Sequence, residues 1–298
     1  MVDSRTLAVQ SVLYGNTAED IVRAGLALAN SIRWARQGGL IADWSLQLGD
    51  CSPDAVFRDA AIEPLRNAVE AEGGALTYTP FGSNLGSAAG HNALAESSNS
   101  ELMLILNPDV QASADTVSVL AAAAIDDVGI VEARQIPLEH PKEYEKYTGD
   151  TSWASTACAM TTRAAFEAVD GFDSSTFFLY CDDVDYSWRL RLDGYRVIYE
   201  PAARVFHDKR LTITADWPAS EAEVYYSAEG AILLAHKYSR PDLVATLIAG
   251  YRKEGGVAVL KAVGDYGERA KCGRLPKPID SEHKVAHFID GNYSMHRF

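Results

Sequence analysis

The stretch FFLYCDDVD, residues 177–185, carries the strongest signal in the sequence, because an aromatic run leads directly into three carboxylates in four positions. Carboxylates placed so close together are costly to ionise unless a cation or a proton compensates them. An apparent helix with Trp188, Leu190 and Leu192 follows, so acidic capping of that helix is one explanation. One acid is enough for capping. We therefore expect at least one of the three to have another partner.

An apolar run further upstream stops at a turn that carries a carboxylate. The buried-strand pattern Leu102–Leu106 is followed at once by Asn107-Pro108-Asp109. A carboxylate that a proline fixes at the end of an apolar strand is rigid and half-buried, and such a group is a good ligand for Mg²⁺ or Mn²⁺ beside phosphate oxygens. Asn107 offers a second oxygen donor without the charge. Asn-Pro-Asp is also ordinary turn chemistry, so a plain turn is the alternative interpretation.

His207 lies at the end of the segment Tyr195–Phe206. An imidazole that follows a strand can complete the coordination shell of a metal, and Asp109 is the partner that we would expect for it. A single histidine is also commonly structural, so both interpretations remain open from the residues alone.

The first half of the chain alternates short apolar runs with helical patterns, which predicts βαβ units and a mostly parallel sheet. We predict strands at 7–14, 45–48, 75–79, 102–106, 128–133 and 195–199, and helices at 19–35, 62–71, 86–97, 114–124 and 164–169. The polar segment 134–151 is predicted to be a loop, either over a site or simply in solvent. The pattern is helical from Glu221 onward, and the tail from Lys271 is polar. We therefore predict an α/β domain over residues 1–215 and a helical extension with a tail over 216–298.

Polar residues follow the first two predicted strands as well as the strand Leu102–Leu106, and ligands of open α/β sheets bind beyond the carboxyl ends of the strands. Tyr14-Gly15-Asn16 follows the first strand and Asp50 follows the second. Asp50 could accept hydrogen bonds from a ribose or a base imide, or it could only stabilise a turn. Small residues after Asn84 open a helix whose free N–H groups could bind an anion, or they could simply permit close packing.

The charge of the chain narrows the choice of ligand. The 298 residues include 41 acidic side chains against 27 Lys and Arg, which gives a formal net charge of −14. Binding of nucleic acid requires clustered Lys and Arg, so we exclude nucleic acid as a partner. An acidic protein that binds a diphosphate needs a local cation, and a divalent metal would supply it.

The cysteines and the apolar runs indicate a cytoplasmic protein. Four cysteines without a Cys-x-x-Cys pair fit a reducing compartment. The first ten residues contain no apolar leader, so we expect no signal peptide. No apolar run approaches the roughly 18 residues that a membrane-spanning helix needs. A membrane-linked substrate would therefore require peripheral contact with the inner face of the membrane.

In order and spacing, these motifs resemble the family 2 inverting glycosyltransferases of the GT-A fold, especially the rhamnosyltransferase and galactofuranosyltransferase-like branch. The resemblance covers residues 6–250. Its motifs are Asn84-Leu85-Gly86 with Asn92, Asn107-Pro108-Asp109, Gly171-Phe172-Asp173, the stretch 178–185, Gly194-Tyr195, and Pro201 through His207. The implied fold is a Rossmann-like, mostly parallel sheet flanked by helices, with a helical C-terminal extension.

The resemblance also implies an activity and roles for residues. The implied reaction is metal-dependent transfer of a hexose or deoxyhexose, with inversion, from a UDP- or dTDP-linked sugar in cell-wall or polysaccharide biosynthesis. Asp183 would be the catalytic base beside Asp182, and Asp109 and His207 would bind Mg²⁺ or Mn²⁺. We predict donor contacts at Tyr14, Asn16, Asp50, Asn84, Asn107 and Trp153; Tyr14, Asp50 and Trp153 are assigned through the resemblance.

Two positions depart from the family pattern. The family's Glu-Asp pair is Asp182-Asp183 here, which we expect to change how the acceptor is held. Glu229-Gly230 stands where the branch has Arg-Asn, in a helix that often lies near lipid acceptors. A saccharide, a lipid-linked sugar or a small molecule could be the acceptor, and the C-terminal helices are a candidate homodimer surface.

Two other functions remain as alternatives. One is a non-catalytic nucleotide-sugar or glycan-binding module on a decayed transferase fold. The other is a nucleotidyltransferase, which would require a Gly-rich loop with Lys or Arg after the first strand. Residues 14–20 contain no such loop.

Overall fold

Strands and helices alternate through most of the chain in the computed structural model, which describes residues 4–137, 140–207 and 219–294. The strands are β1 Arg5–Leu13, β2 Ile41–Asp50, β3 Gly74–Pro80, β4 Leu102–Leu106, β5 Val110–Ala112, β6 Val128–Ile136, β7 Cys158–Thr162 and β8 Arg196–His207. The helices are α1 Ala18–Gln37, α2 Glu63–Ala71, α3 Gly86–Glu96, α4 Thr116–Ala123, α5 Arg163–Ala168, α6 Asp182–Leu192, α7 Glu221–Lys237, α8 Pro241–Glu254 and α9 Val257–Lys271. Within these ranges the strands form one sheet in the order β3-β2-β1-β4-β7-β6-β8-β5.

Local sequence explains why the central elements form. All five residues of β4 are buried and apolar, as expected for a strand that is covered on both faces. The side chain of Thr17 caps α1 by accepting a hydrogen bond from the backbone N–H of Asp20. Ser220 and Glu223 form a complete capping box at the start of α7.

Strand directions bring most of the loops of interest to one edge of the sheet. Strands β1 to β4 are mutually parallel, and β7 is antiparallel to both β4 and β6. Strand β6 therefore runs in the direction of β4, and β8 is parallel to β6. The start of β7 lies opposite the end of β4, and the start of β5 lies opposite the end of β8. We call this common edge, where β1–β4, β6 and β8 end, the carboxyl edge.

The predicted fold class is confirmed, but several strands differ from the prediction. The late strand does not end at Tyr199, because β8 continues to His207. The pairing of β8 with β6 skips from Glu200 to Arg204, so Pro201 lies in an irregular stretch between them. Pro201 is tolerated there because its backbone does not have to donate a hydrogen bond to β6. The predicted loop 134–151 begins too early, since β6 extends to Ile136. The short strands β5 and β7 were not predicted.

Helices α7 to α9 and the tail pack beside α6. The rings of Trp188, Tyr238 and Phe288 form a buried aromatic contact, with centroids 4.7 Å and 5.2 Å from the Trp188 ring. The domain boundary predicted at residues 215 and 216 lies outside the described residues, so the division into domains remains a prediction. In the described ranges no helix combines the length and the apolar character that crossing a membrane requires.

Candidate active site

Asp109 and His207 meet at the carboxyl edge. Asp109 directly precedes β5, His207 ends β8, and the antiparallel pairing of Val110 with His207 brings the two side chains together. Asp109 Oδ2 lies 3.2 Å from His207 Nε2. The other imidazole nitrogen, Nδ1, lies 2.8 Å from Gln135 Oε1 near the end of β6. His207 and Gln135 are buried, whereas Asp109 is half-buried.

This geometry fits a divalent cation. The amide oxygen of Gln135 can only accept, so His207 Nδ1 donates to it and Nε2 faces the Asp109 carboxylate. Nε2 and a carboxylate oxygen of Asp109 are therefore placed where both could contact one metal ion. One carboxylate oxygen and one imidazole nitrogen suit a first-row divalent ion, and the Gln135 contact is the outer hydrogen bond typical of metal-bound histidines.

Two protein ligands would leave most of the coordination shell to other groups. Among the described residues, no group of three or more His, Cys, Asp or Glu side chains is arranged to hold a metal. A metal on the Asp109–His207 pair would therefore take further ligands from water and from phosphate oxygens, as Mg²⁺ does in nucleotide sites.

Asp185 is the acid of the first turn of α6 that has cationic partners. Its side chain is fully buried, with Oδ2 at 2.7 Å from Arg189 Nε and Oδ1 at 2.6 Å from Lys237 Nζ. The Tyr238 hydroxyl donates to the same carboxylate at 3.2 Å. Lys237 also contacts Asp173 Oδ2 at 2.6 Å. The partner expected for one of the three acids is therefore present, and it links the Gly-Phe-Asp motif to α7.

Asp182 and Asp183 have surroundings that favour their protonated forms. Asp182 is buried, and within the described part of the chain its Oδ2 has no hydrogen-bond partner. Asp183 Oδ1 accepts a hydrogen bond from the backbone of Val184 at 2.8 Å. Burial and the neighbouring charge of Asp182 raise the pKa of Asp183 to about 7. Burial also raises the pKa of Asp182, so the two carboxyl groups titrate as a pair near neutral pH.

A tight turn presents these acids to the carboxyl edge. Tyr180 and Cys181 both adopt the left-handed conformation, with φ of 64° and 59°. The N-terminus of α3 packs against this region, because the backbone of Ser87 donates to the carbonyl of Phe178 at 2.9 Å. A Cβ on Gly86, which has φ of 73°, would lie 2.3 Å from that carbonyl. The motif Asn84-Leu85-Gly86 therefore requires glycine at its third position for this close approach.

The two asparagines of the α3 motif bind backbone groups. Asn84 is exposed, and its Oδ1 accepts from the N–H of Gly86 at 3.0 Å. Asn92 donates to the carbonyl of Phe172 at 2.8 Å and accepts from its N–H at 2.9 Å. Asn92 thus fixes the Gly-Phe-Asp motif to α3, while Asn84 shapes the loop that leads into the helix.

Asp50 ends β2 and organises the loop that follows it. Its oxygens accept from the backbone N–H groups of Ser52 at 2.8 Å and Val56 at 2.7 Å, and from the Tyr78 hydroxyl. Burial opposes the ionised form, but these hydrogen bonds outweigh it and lower the pKa of Asp50. The carboxylate is therefore charged at neutral pH and is engaged with its own loop.

Tyr14 and Asn16 lie in the neighbouring loop after β1. The Tyr14 side chain is 57% exposed, and its backbone N–H donates to Asn16 Oδ1 at 3.0 Å. The N–H of Gly15 donates to Ser52 Oγ at 3.0 Å, so the loops after β1 and β2 are joined. An exposed aromatic ring beside a polar strand end is available for contact with a ligand.

Asn107 and Trp153 lie on either side of the segment that enters β7. The backbone of Asn107 donates to the carbonyl of Ala157 at 2.9 Å. Trp153 is only 4% exposed, and Lys142 Nζ lies 3.1 Å from the centroid of its ring. The same ammonium forms an ion pair of 2.9 Å with Glu132, and both side chains are 3% exposed. In this structure Trp153 packs against protein groups.

A continuous path of contacts connects the Asp109–His207 pair with the first turn of α6. Gln135, which contacts His207, also donates to Ser155 Oγ at 3.2 Å. The adjacent backbone N–H of Ala154 donates to Ser187 Oγ at 3.0 Å, and this hydroxyl donates to the carbonyl of Asp183 at 2.8 Å. Packed contacts therefore link the two acidic motifs at the carboxyl edge.

Several residues of this site were missed in the sequence. They are Tyr78, Glu132, Gln135, Lys142 and Lys237. Gln135 had a usable signal, because it follows the apolar run 128–133 by only two residues and so lies where a parallel strand ends. The two lysines had none, since their partners lie on other elements and depend on the tertiary fold.

Known proteins that resemble the chain are glycosyltransferases. No family model matches it. It is 37% identical over 87 residues to the N-acetylglucosaminyl-diphospho-decaprenol L-rhamnosyltransferase of Mycobacterium tuberculosis, a match of 29% of the chain that spans only 27% of the relative's length. The mannosyltransferase PcManGT of Pyrobaculum calidifontis, solved with GDP-Man and Mn²⁺, superimposes with a TM-score of 0.55 at 16% identity, over 91% of this chain and 81% of that one. GalNAc-T7, solved with UDP, GalNAc and Mn²⁺, gives 0.60 at 11% identity, over 96% and 57%.

The structural likeness defines the class of fold, which is the GT-A fold of the two solved glycosyltransferases. More particularly, the curated likeness to a rhamnosyltransferase agrees with the resemblance that the sequence motifs carry. The activity of the whole protein is a matter for proposal, because the match spans about a quarter of that relative.

Proposed function

We propose that this protein transfers a hexose or deoxyhexose from a nucleoside diphosphate sugar to an acceptor hydroxyl, with inversion at the anomeric carbon. The observation that carries the proposal is the contact path that joins the Asp109–His207 pair to the acids of α6 along one edge of the sheet. The printed name of the M. tuberculosis relative, a rhamnosyltransferase, agrees with it.

The donor half of the site is built around Asp109 and His207. A divalent ion bound by this pair, Mg²⁺ or Mn²⁺, supplies Lewis-acid stabilisation of the diphosphate leaving group. Both solved neighbours contain Mn²⁺, which supports this assignment. Gln135 holds the imidazole in the orientation that exposes Nε2 to the ligand. Asn107, in the turn before Asp109, would offer its side-chain amide to the donor.

The nucleoside is expected at the ends of β1 and β2. Asp50 keeps the loop 51–56 in place through two hydrogen bonds from that loop, accepts a third from Tyr78 of β3, and remains ionised. The exposed ring of Tyr14 would stack on the base, and Asn16 and Asn84 would contact the ribose or the phosphates. UDP- and dTDP-linked sugars both present a base imide that suits a carboxylate acceptor.

Asp183 acts as the general base. An inverting transfer is a single in-line displacement, so one carboxylate has to take the proton of the acceptor hydroxyl as its oxygen attacks. A base works best when its pKa lies near the working pH, and burial beside Asp182 moves Asp183 in that direction. Asp182 contributes by raising the basicity of its neighbour.

The acceptor side is open to three classes of molecule: a saccharide, a lipid-linked sugar or a small molecule. The M. tuberculosis relative is named as a rhamnosyltransferase of N-acetylglucosaminyl-diphospho-decaprenol, which favours the lipid-linked class. A protein of this kind would work in cell-wall or polysaccharide biosynthesis and would contact the cytoplasmic face of the membrane peripherally.

The test is Asp183→Asn, with Asp193→Asn as the matched control. Asp193 is the exposed residue at the other end of α6. We expect Asp183→Asn to lower the transfer rate by roughly 10²–10⁴-fold, because that is what general base catalysis contributes. Calorimetry with Mn²⁺ should show unchanged donor binding for both variants. Turnover of Asp183→Asn at the wild-type rate would contradict the proposal, and donor binding by the wild type without transfer or hydrolysis would favour the non-catalytic module.

A further inference from the structure

Lys142 is buried in the segment between β6 and β7 and has three close partners. Its Nζ lies 2.9 Å from Glu132 Oε2, 3.0 Å from the carbonyl of Trp153 and 3.1 Å from the centroid of the Trp153 ring. Trp153 is in turn covered by the rings of His140 and Tyr293. A lysine side chain that is 3% exposed loses much of its hydration, so its position has to be stabilised by these contacts.

A short chain of contacts leads from Lys142 to Asp183. Lys142 Nζ donates to the carbonyl of Trp153, the next residue Ala154 donates its N–H to Ser187 Oγ at 3.0 Å, and this hydroxyl donates to the carbonyl of Asp183 at 2.8 Å. The ammonium therefore lies in the same buried cluster as Asp183 and opposes other charges there.

The groups that act on Asp183 come from three elements: Asp182 from α6, Glu132 from β6 and Lys142 from the segment before β7. Burial raises the pKa of the Cys181 thiol at the start of α6 well above its ordinary value, so this thiol adds no charge. Lys142 is the cation among the described groups that act on Asp183, and it interacts with the carboxylates of Glu132 and Asp183. It favours the ionised form of Asp183, whereas Asp182 and Glu132 disfavour it.

We infer that Lys142 is a positioning residue: held in place by Glu132 and the Trp153 ring, it supplies the positive charge that keeps Asp183 ionised for its work as the base. This inference rests on the proposed function of Asp183. Glu132 has two opposing effects. Its ion pair holds the Lys142 ammonium in place, but its own negative charge disfavours ionisation of Asp183. Removing one member of the pair should therefore affect Asp183 in the opposite direction to removing the other.

The test compares Lys142→Met with Glu132→Gln in the pH dependence of kcat/KM, which reports the essential base of the free enzyme. Lys142→Met should move the acid limb upward by about one pH unit, because the compensating cation is gone. Glu132→Gln should move the limb downward by a similar amount, since one anion is removed and the ammonium is left to Asp183. Lys146→Met, an exposed lysine of the same segment, is the matched control and should leave the limb in place.

A second measurement separates this inference from the proposed function. The Asp183 carboxyl can be titrated by ¹³C NMR in the substrate-free protein, with Asp183→Asn identifying its signal. Opposite displacements of its midpoint in Lys142→Met and Glu132→Gln would support the inference even if no transfer activity were found. An unmoved midpoint in both variants, or a displacement in the same direction, would overturn it even if Asp183 is the base.

The inference can still be tested if one of the single variants fails to fold. Lys142→Met leaves the buried Glu132 charge without this partner and is the variant most at risk. The double variant Glu132→Gln with Lys142→Met removes both charges together, so it should fold and should titrate between the two single variants. A double variant displaced further than Lys142→Met alone would contradict the inference.

Discussion

Asp183 and Asp185 lie two positions apart on α6, yet the fold gives them different chemistry. The Asp185 carboxylate is fully buried and contacts Arg189 and Lys237. Asp183 lies beside another acid, and burial raises its pKa. Asp185 is therefore equipped to stabilise the fold, whereas Asp183 is equipped to take up and release a proton near neutral pH.

Substitution of the two acids should affect the free energy of unfolding differently. Asp185→Asn should lower the free energy of unfolding by about 3 kcal/mol, because Lys237 and Arg189 lose a buried counter-charge. Asp183→Asn should not lower it. The folded pKa of Asp183 is raised above the unfolded value of 3.8, so its ionisation costs stability as the pH rises through the raised pKa. Urea unfolding at pH 8 measures both variants, and an equal loss of stability would contradict this assignment of roles.

Individual site residues were predictable where the chain itself carries the signal. Asp109 follows an apolar strand, His207 ends another, and Asp183 follows an aromatic run, so their order and spacing pointed to them. Lys142 and Lys237 were not predictable, because nothing near them in the sequence marks them. Their partners reach them only through the packing of β6 and α6.

At the scale of elements, α7 supports the turn that carries the acids. Gly230 of α7 packs on this turn so closely that a Cβ would lie 3.1 Å from Cys181 Sγ and 3.2 Å from the carbonyl of Tyr180. Glu229, the other departure from the family pattern, is bound by Arg269 of α9 at 3.1 Å. The unusual Glu-Gly pair therefore joins α7 to the left-handed turn on one side and to α9 on the other.

Gly230→Ala should disturb this turn, and Gly250→Ala is its matched control. A Cβ on Gly250 in α8 would meet nothing within 4 Å. Gly250→Ala should therefore raise the free energy of unfolding by about 0.5–1 kcal/mol, the ordinary gain for a helix interior. Gly230→Ala should not be stabilising, because the neighbouring turn has to move by a few tenths of an ångström to make room for the Cβ. The same movement should lower the transfer rate. Thermal unfolding and the transfer assay check both effects; equal stabilisation with unchanged transfer would contradict the supporting role of α7.

Elements with their own periodicity were predicted well, and those that depend on a partner were not. Strand β4 was predicted at Leu102–Leu106, and α1 and α3 within a few residues, because their apolar patterns and caps are local. Strands β5 and β7 were missed because three and five residues give too little pattern, and their existence depends on pairing with β8 and β4. Strand β8 was predicted too short because Pro201 is normally a strand breaker.

The fold of the whole molecule brings acids that are far apart in the sequence to one edge of the sheet. With a net charge of −14, the chain repels a diphosphate unless a local cation attracts it. Two acidic motifs could in principle bind that cation. We assign it to the Asp109–His207 pair, where an oriented imidazole is available, and we assign Asp183 to the acceptor.

Anomalous diffraction from crystals grown with Mn²⁺ and UDP tests this division most directly. Because Mn²⁺ scatters anomalously, its position does not depend on interpretation of the surrounding density. The account predicts one strong peak in coordination distance of both Asp109 and His207, absent in the Asp109→Asn variant. A peak on Asp182 and Asp183, with none at Asp109, would contradict it.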